Sequence, residues 1–234
     1  MLNVKLLLIT VFALFSFQPK KALRMEEKLF PEIESYVSIF SSDTASIPAE
    51  RRKILREISR YTALRLAKGQ PSQLTFICTH NSRRSHLSQI WTAVAAEHYG
   101  LGKSIASFSG GTEATAFNPR AVEVLRRAGL KLKVNAHSNN PRYSVRYSSN
   151  AKPLECFSKK YSDEFNPQSE FAAIMTCSQA DKSCPIVSGS EMRIAIPYID
   201  PKVSDGSPEE TATYDERCKQ IAQEMFYWVE KVKS

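Results

Sequence analysis

The chain has 234 residues, of which 42% are hydrophobic and 24% charged, and it carries a formal net charge of +8 at pH 7. That composition excludes a wholly disordered chain, a collagen and a disulfide-dense mini-protein, and the length suits one domain with additions or two small ones. Leu6 to Phe17 is the main apolar stretch and falls short of the roughly 18 residues that a spanning helix needs, which excludes a multi-span membrane protein.

Residues 1–24 hold Lys5, Lys20, Lys21 and Arg24 and no acidic residue, so half of the excess charge sits there. The apolar stretch matches a signal-peptide core in length, but its flanks fit poorly, and Met25 opens a second plausible start. Two readings stay open: an export or anchoring leader, or an over-extended start. A membrane partner is expected only if the leader is a real anchor. From Met25 onward there are 28 basic and 24 acidic residues, with no block of five like charges, so no nucleic-acid partner is expected. Arg51-Arg52-Lys53, the densest basic cluster, reads as the solvated face of a helix.

Residues 25–70 read as a helical extension. Phe30, Ile33, Val37 and Phe40 step by 3, 4 and 3, and a second helix is expected from Pro48 with Ile54, Ile58 and Tyr61 inward. Gly69-Gln70-Pro71-Ser72 marks a boundary, and residues 71–234 read as one catalytic α/β domain. A strand is expected at Leu74–Cys78, a helix at Ser85–Tyr99, a strand at Ile105–Phe108, and a helix capped by Asn118-Pro119 that runs through Val122, Leu125 and Ala128. Tyr143, Val145 and Tyr147 alternate with polar residues and, with Leu154–Phe157, suggest a hairpin insertion. Further strands are expected at Phe171–Cys177 and Arg193–Tyr198. A last helix begins with a capping box at Ser207, Pro208 and Glu210, and Tyr214, Cys218, Ile221, Met225, Trp228 and Val232 form its core stripe. Strands alternating with helices imply a central parallel sheet flanked by helices.

The informative segment is Cys78-Thr79-His80-Asn81-Ser82-Arg83-Arg84-Ser85. A strand ends at a cysteine, a short loop follows, and an Arg-Ser pair opens a helix. In that geometry the loop amides and the helix N-terminus converge on one point and favour an anion. Arg84 can offer two donors to a tetrahedral oxyanion, and Arg83 adds charge at the mouth. The same positive field and a hydrogen bond from Ser85 stabilise a thiolate on Cys78. Asn81 can adopt the left-handed angle that a tight loop demands. Nucleophile and oxyanion cradle are thus built by one segment, and the expected ligand is a small tetrahedral oxyanion.

This Cys-x5-Arg-Ser run after the first core strand resembles the low-molecular-weight protein tyrosine phosphatase fold family, which also includes thioredoxin-coupled arsenate reductases. The resemblance spans roughly residues 72–232. The family usually has Gly where this chain has His80 and often Cys where it has Arg83. Cys177-Ser-Gln-Ala-Asp-Lys-Ser-Cys184-Pro185 has the wrong spacing for common zinc sites, and it looks like the redox pair of the arsenate reductases in the family. Asp200-Pro201 is similar in position and type to the family's general acid. The resemblance implies arsenate reduction through Cys78, Cys177 and Cys184, with thioredoxin as reductant, in the reducing cytoplasm unless residues 1–24 direct export. It implies no metal and no cofactor. The alternatives are a phosphotyrosine phosphatase using Cys78, Arg84 and Asp200, and a catalytically silent phosphate- or phosphopeptide-binding module. Cys156 and Cys218 read as packing.

Overall fold

The computed structural model of the chain describes residues 29–40, 43–136 and 138–233; the expected leader at 1–24 and residues 25–28 lie outside them. Two helices come first, α1 (Pro31–Ser38) and α2 (Ala49–Ala67). Then follow β1 (Ser72–Cys78), α3 (Arg84–His98), β2 (Ile105–Gly111), α4 (Pro119–Arg127), β3 (Lys131–Ala136), β4 (Arg142–Arg146) and β5 (Leu154–Cys156). The chain ends with β6 (Phe171–Met175), α5 (Ser178–Ser183), β7 (Ser190–Ala195) and α6 (Glu210–Glu230).

The expected architecture is present. Strands β2-β1-β6-β7 form a parallel sheet in that order, and a separate antiparallel sheet has the order β3-β4-β5. Parallel neighbours cannot be joined by tight turns, so the intervening helices cross over the sheet and cover its faces. Period-two alternation divides the interior into two cores. Leu74, Phe76, Ala172 and Ile174 face the large core, which also contains Trp91 of α3 and Trp228 of α6. Ile77, Phe171, Ala173 and Met175 face a small second core that also holds Cys78, Cys177, Ala180 and Val187. The hairpin insertion is present, with Tyr143 opposite Cys156 and Val145 opposite Leu154.

Several details differ from the sequence reading. Strand β3 was unassigned although Lys131, Lys133 and Asn135 alternate with Leu132, Val134 and Ala136: the polar three are exposed, Leu132 and Val134 pack on the large core, and the strand pairs with β4. In α2 the inward residues are Leu55, Ile58, Ser59, Thr62 and Arg65, while Ile54 and Tyr61 are half-buried. Polar partners rotate that face: Ser59 Oγ donates to the Trp228 carbonyl at 2.7 Å, Thr62 Oγ1 lies 3.1 Å from Ser72 Oγ, and Arg65 pairs with Glu191 at 3.0 Å. Pro48 is the cap of α2 rather than its first residue. Strand β7 begins and ends three residues earlier than expected. The cap of α6 is Glu209, two residues after the expected Ser207 and without a side-chain cap bond, and the Glu210 carboxylate instead accepts from the Gly206 amide at 2.6 Å. Val232 lies beyond the helix, in a 3₁₀ turn.

In the basic cluster on α2, Lys53 is exposed as expected, but the two arginines are engaged by the protein. Arg51 is largely buried; it pairs with Glu224 of α6 at 2.9 Å, donates to the Ile196 carbonyl at 3.1 Å and lies 4.7 Å over the Tyr198 ring. Arg52 donates to the carbonyls of Thr44, Ala45 and Ile47 at 3.2, 3.4 and 2.5 Å, closing the turn before α2.

Strand β2 is one edge of the parallel sheet. Its alternate residues face outward: Gly111 bonds both ways with the Lys159–Tyr161 segment, the Ser109 carbonyl accepts from Asn166 Nδ2, and the Ile105 amide donates to Leu101. Among the described residues, no helix is long and apolar enough to cross a membrane.

Candidate active site

The loop between β1 and α3 lies at the carboxyl end of the parallel strands, where the sheet order reverses between β1 and β6, the usual position of a ligand crevice in open α/β sheets. Its carbonyls are held from outside. The Cys78 carbonyl accepts from the Thr112 amide at 3.1 Å, Thr79 from the Glu113 amide at 2.8 Å, and Ser82 from the Asn118 amide at 2.9 Å. The His80 carbonyl accepts from Ser158 Oγ at 2.9 Å and Thr115 Oγ1 at 3.1 Å. Among the described residues no acceptor engages the amides of Thr79 to Arg83. Fixing the carbonyls outward leaves the donors turned toward the interior of the loop, which is an anion-binding arrangement.

Asn81 takes a left-handed backbone angle, φ 45°, as the loop requires. Its fully buried side chain spans two elements: Nδ2 donates to Ser85 Oγ at 2.9 Å, and Oδ1 accepts from the Lys159 amide at 2.9 Å. Ser85 Oγ lies 3.1 Å from Cys78 Sγ, the contact expected from the sequence. His80 is half exposed at the rim, with Nε2 3.6 Å from the Glu113 carboxylate.

The two arginines depart from expectation. Arg84 Nη2 donates to Asp200 Oδ2 at 2.6 Å and Nη1 to the Tyr198 carbonyl at 3.0 Å, so cation and carboxylate are paired with each other. Its Nε is buried without a partner among the described residues. Asp200 also caps a 3₁₀ turn, Pro201–Ser204, by accepting from the Lys202 amide at 3.1 Å. Arg83 does not project from the mouth. Its Nε donates to Tyr214 Oη at 2.8 Å, and its Nη2 lies 3.3 Å from Asp205 Oδ2.

Three cysteines meet on the second core. Cys78 and Cys177 are both buried there, with the half-buried Cys184 packed against the cluster. Thr79 Oγ1 lies 3.5 Å from Cys177 Sγ. Cys177 caps α5, its sulfur accepting from the Ala180 amide at 3.3 Å. Burial and a hydrogen bond with the Cys184 thiol raise the pKa of Tyr161. Cys156 and Cys218 are fully buried, and burial pushes both thiols up to about 12, consistent with packing roles.

The support beneath the loop was not legible in the sequence. His86 is fully buried, stacked on Phe117 with ring centroids 4.0 Å apart, and its Nδ1 lies 3.2 Å from Ser109 Oγ. Lys159 and Ser158, which hold Asn81 and His80, come from the stretch after the hairpin, more than 70 residues away. The one available signal was the Gly110-Gly111 pair, since small residues permit close backbone approach.

Residues 73–144 match the family model "Low molecular weight phosphotyrosine protein phosphatase". The chain is 29% identical over 126 residues to arsenate reductase 2 of Staphylococcus epidermidis, covering 54% of this chain and 76% of that protein. It is 27% identical over 147 residues to an arsenate reductase of Bacillus licheniformis, covering 62% of this chain and 84% of that one. Among solved structures it is similar to a low molecular weight protein tyrosine phosphatase from T. tengcongensis, with a TM-score of 0.47, 18% identity, and 68% and 99% of the two chains covered. It is also similar to an arsenate reductase in a phosphate-binding state, with a TM-score of 0.39, 19% identity, and 66% and 96% covered. The resemblance drawn from the Cys-x5-Arg-Ser run is therefore borne out by the family model and by the curated relatives.

Proposed function

We propose that this chain is an enzyme that reduces arsenate to arsenite by a cysteine relay. The observation that carries the reading is the gathering of Cys78, Cys177 and Cys184 on one small core, on a chain similar to arsenate reductases. Arsenate binds the loop amides of Thr79, His80, Asn81, Ser82, Arg83 and Arg84, with the Arg84 guanidinium and Ser85 completing the cradle. The Cys78 thiolate attacks arsenic; an arsenic–oxygen bond breaks, and Asp200 protonates the departing oxygen, which leaves as water. Cys177 then attacks Cys78 Sγ. A Cys78–Cys177 disulfide forms, the sulfur–arsenic bond breaks, and its electron pair stays on arsenic, which leaves as arsenite. Cys184 attacks Cys177, returning Cys78 to the thiol and leaving a Cys177–Cys184 disulfide for thioredoxin to reduce. Such a cycle runs in a reducing compartment, and the cytoplasm is the location it fits.

A second reading, hydrolysis of a phosphomonoester, is favoured by the match of residues 73–144 to the phosphatase family. Cys78, Arg84 and Asp200 keep their roles, and water attacks the cysteinyl-phosphate.

One side-by-side assay separates the two. Under the relay, the wild type oxidises reduced thioredoxin in proportion to added arsenate, and Cys177→Ser and Cys184→Ser each abolish this while sparing any hydrolysis of aryl phosphate. Full arsenate-dependent turnover in both variants would sink the relay. Loss of aryl phosphate hydrolysis in Cys78→Ser alone, with no arsenate reduction by the wild type, would establish the hydrolase instead.

A further inference from the structure

Arg83 and Arg84 are adjacent on the oxyanion loop, and both reach one short segment: Arg84 holds its first end, and Arg83 holds its far end while also lying 3.9 Å from Asp200. Arg84 grips Asp200, the residue before the Pro201–Ser204 turn, at 2.6 Å. Arg83 reaches Asp205, the residue after it, at 3.3 Å. Its Nε donates to Tyr214 Oη at 2.8 Å, and that hydroxyl donates to Asp205 Oδ1 at 2.8 Å. The three side chains close a ring in which every partner is at least half-buried, and Arg83 itself is only 12% exposed. Arg120 of α4 adds to the anchor: it pairs with Glu210 at 2.8 Å, and Glu210 in turn accepts from the Gly206 amide.

The two grips are not equivalent. The proposed reaction asks the Arg84 fork to serve the oxyanion, which competes directly with Asp200 and the Tyr198 carbonyl for the same N–H groups. Arg83 keeps its bonds to Tyr214 and Asp205 without such competition, and its Nε also lies 3.9 Å from Asp200 Oδ1, so the clamp faces the acid directly as well.

We propose that Arg83 is a positioning residue that clamps the Asp200-bearing segment through Asp205 and Tyr214, keeping the acid at the site once an oxyanion has drawn Arg84 away. This rests on the reading of Asp200 as proton donor. It also accounts for an arginine at the loop's last position, where charge at the mouth had been expected. Cradle and acid come from segments about 120 residues apart, and the clamp couples them whatever oxyanion is bound.

The test uses the full chain and the variants Arg83→Gln, Arg83→Lys and Asp205→Asn. Amide hydrogen exchange is followed with saturating inorganic phosphate, which recruits Arg84 without turnover. The clamp predicts exchange in peptides covering residues 200–206 at least about tenfold faster in Arg83→Gln and Asp205→Asn than in the wild type, with α3 unchanged. Equal protection in all variants overturns it. A series of aryl phosphates with phenols of rising basicity then reads proton delivery. Arg83→Gln should lose about 30-fold in kcat on phenyl phosphate and no more than about threefold on 2,4-dinitrophenyl phosphate, whose leaving group needs no acid, with KM moving less than about twofold. A uniform loss across the series, or a rise in KM alone, overturns the positioning role. Arg83→Lys, which keeps the charge and loses the fork, should fall between, and together with Asp205→Asn it carries both measurements if Arg83→Gln does not fold. If the wild type turns over neither arsenate nor any ester, the functional reading fails, and the exchange experiment still decides whether the clamp exists.

Discussion

Gly111 shows how closely single atoms fit around the loop. A Cβ there would collide with the Glu113 carbonyl and stand 2.7 Å from the Thr79 carbonyl and 2.8 Å from the Asn81 amide. Gly111→Ala should therefore displace the oxyanion cradle and lower kcat/KM at least about tenfold while the far-ultraviolet spectrum stays native, which steady-state kinetics on the active substrate would check. His86 offers a second test. Burial, and then the nearby charge of Lys159, hold its pKa well below the ordinary imidazole range. The unfolded chain takes up that proton first, so stability should fall as pH drops below about 6.5. Urea unfolding between pH 7.5 and 5 should show a slope approaching about 1.4 kcal/mol per pH unit from this group, flattened in His86→Gln. At this scale, what the sequence revealed were local demands: the left-handed Asn81 and the Ser85–Cys78 contact both follow from a five-residue loop between strand and helix. What it concealed were partners distant along the chain. Nothing near Arg84 says that Asp200 will meet it, and nothing near Asn81 points to Lys159.

Among the elements, α5 is the one whose structure constrains the proposed chemistry. The relay needs Cys184 to reach Cys177, yet the six residues between them form a helix capped by the Cys177 sulfur itself. Arg193 of β7 fastens its far end, donating to the Asp181 carbonyl at 2.7 Å, the Asp181 carboxylate at 2.6 Å and the Cys184 carbonyl at 2.9 Å. Removing this anchor should loosen the segment. Arg193→Gln is expected to raise the rate of Cys184 alkylation about threefold or more, with Cys156 still unreactive, as mass spectrometry after timed labelling would show. Periodicity found most elements because most face an apolar core. The short alternation of β3, Lys131 to Ala136, was passed over, and the inward face of α2 was misplaced because Ser59, Thr62 and Arg65 are buried by specific polar partners. Hydrophobic pattern has no means of reporting a buried side chain whose place is set by a hydrogen bond.

Across the whole molecule, the helical extension shares the large core. Ile33, Val37, Leu55 and Ile58 are fully buried in the same cluster as Trp91 and Trp228, and Arg51 joins α2 to α6 and to the carbonyl of Ile196, four residues before Asp200. A chain beginning at residue 71 would expose that apolar surface and leave Glu224 a buried charge without Arg51. It is expected to lose cooperative thermal unfolding and to bind a hydrophobic dye, which calorimetry and fluorescence would test. The central parallel sheet could be anticipated because strands alternate with helices along the chain, while the order of its strands was not read. The apolar faces of the extension were legible as well, but the polar link that Arg51 makes to Glu224 and Ile196 was not, since it lies in a cluster that looked like ordinary surface. The edge strand β2 has a consequence of another kind. Ile105–Gly111 contains no lysine, no proline and no charge, the usual guards against strand-to-strand association, and this edge is protected by coverage instead. With Gly111, Ser109 and Ile105 already engaged, Ser107 is the one outward residue of the alternation without a backbone partner among those described, too short a stretch for a neighbouring molecule's strand to zip onto. Colloidal behaviour in concentrated solution should therefore hinge on the segment around Asn166: shorten it, and a quiet edge becomes an adhesive one.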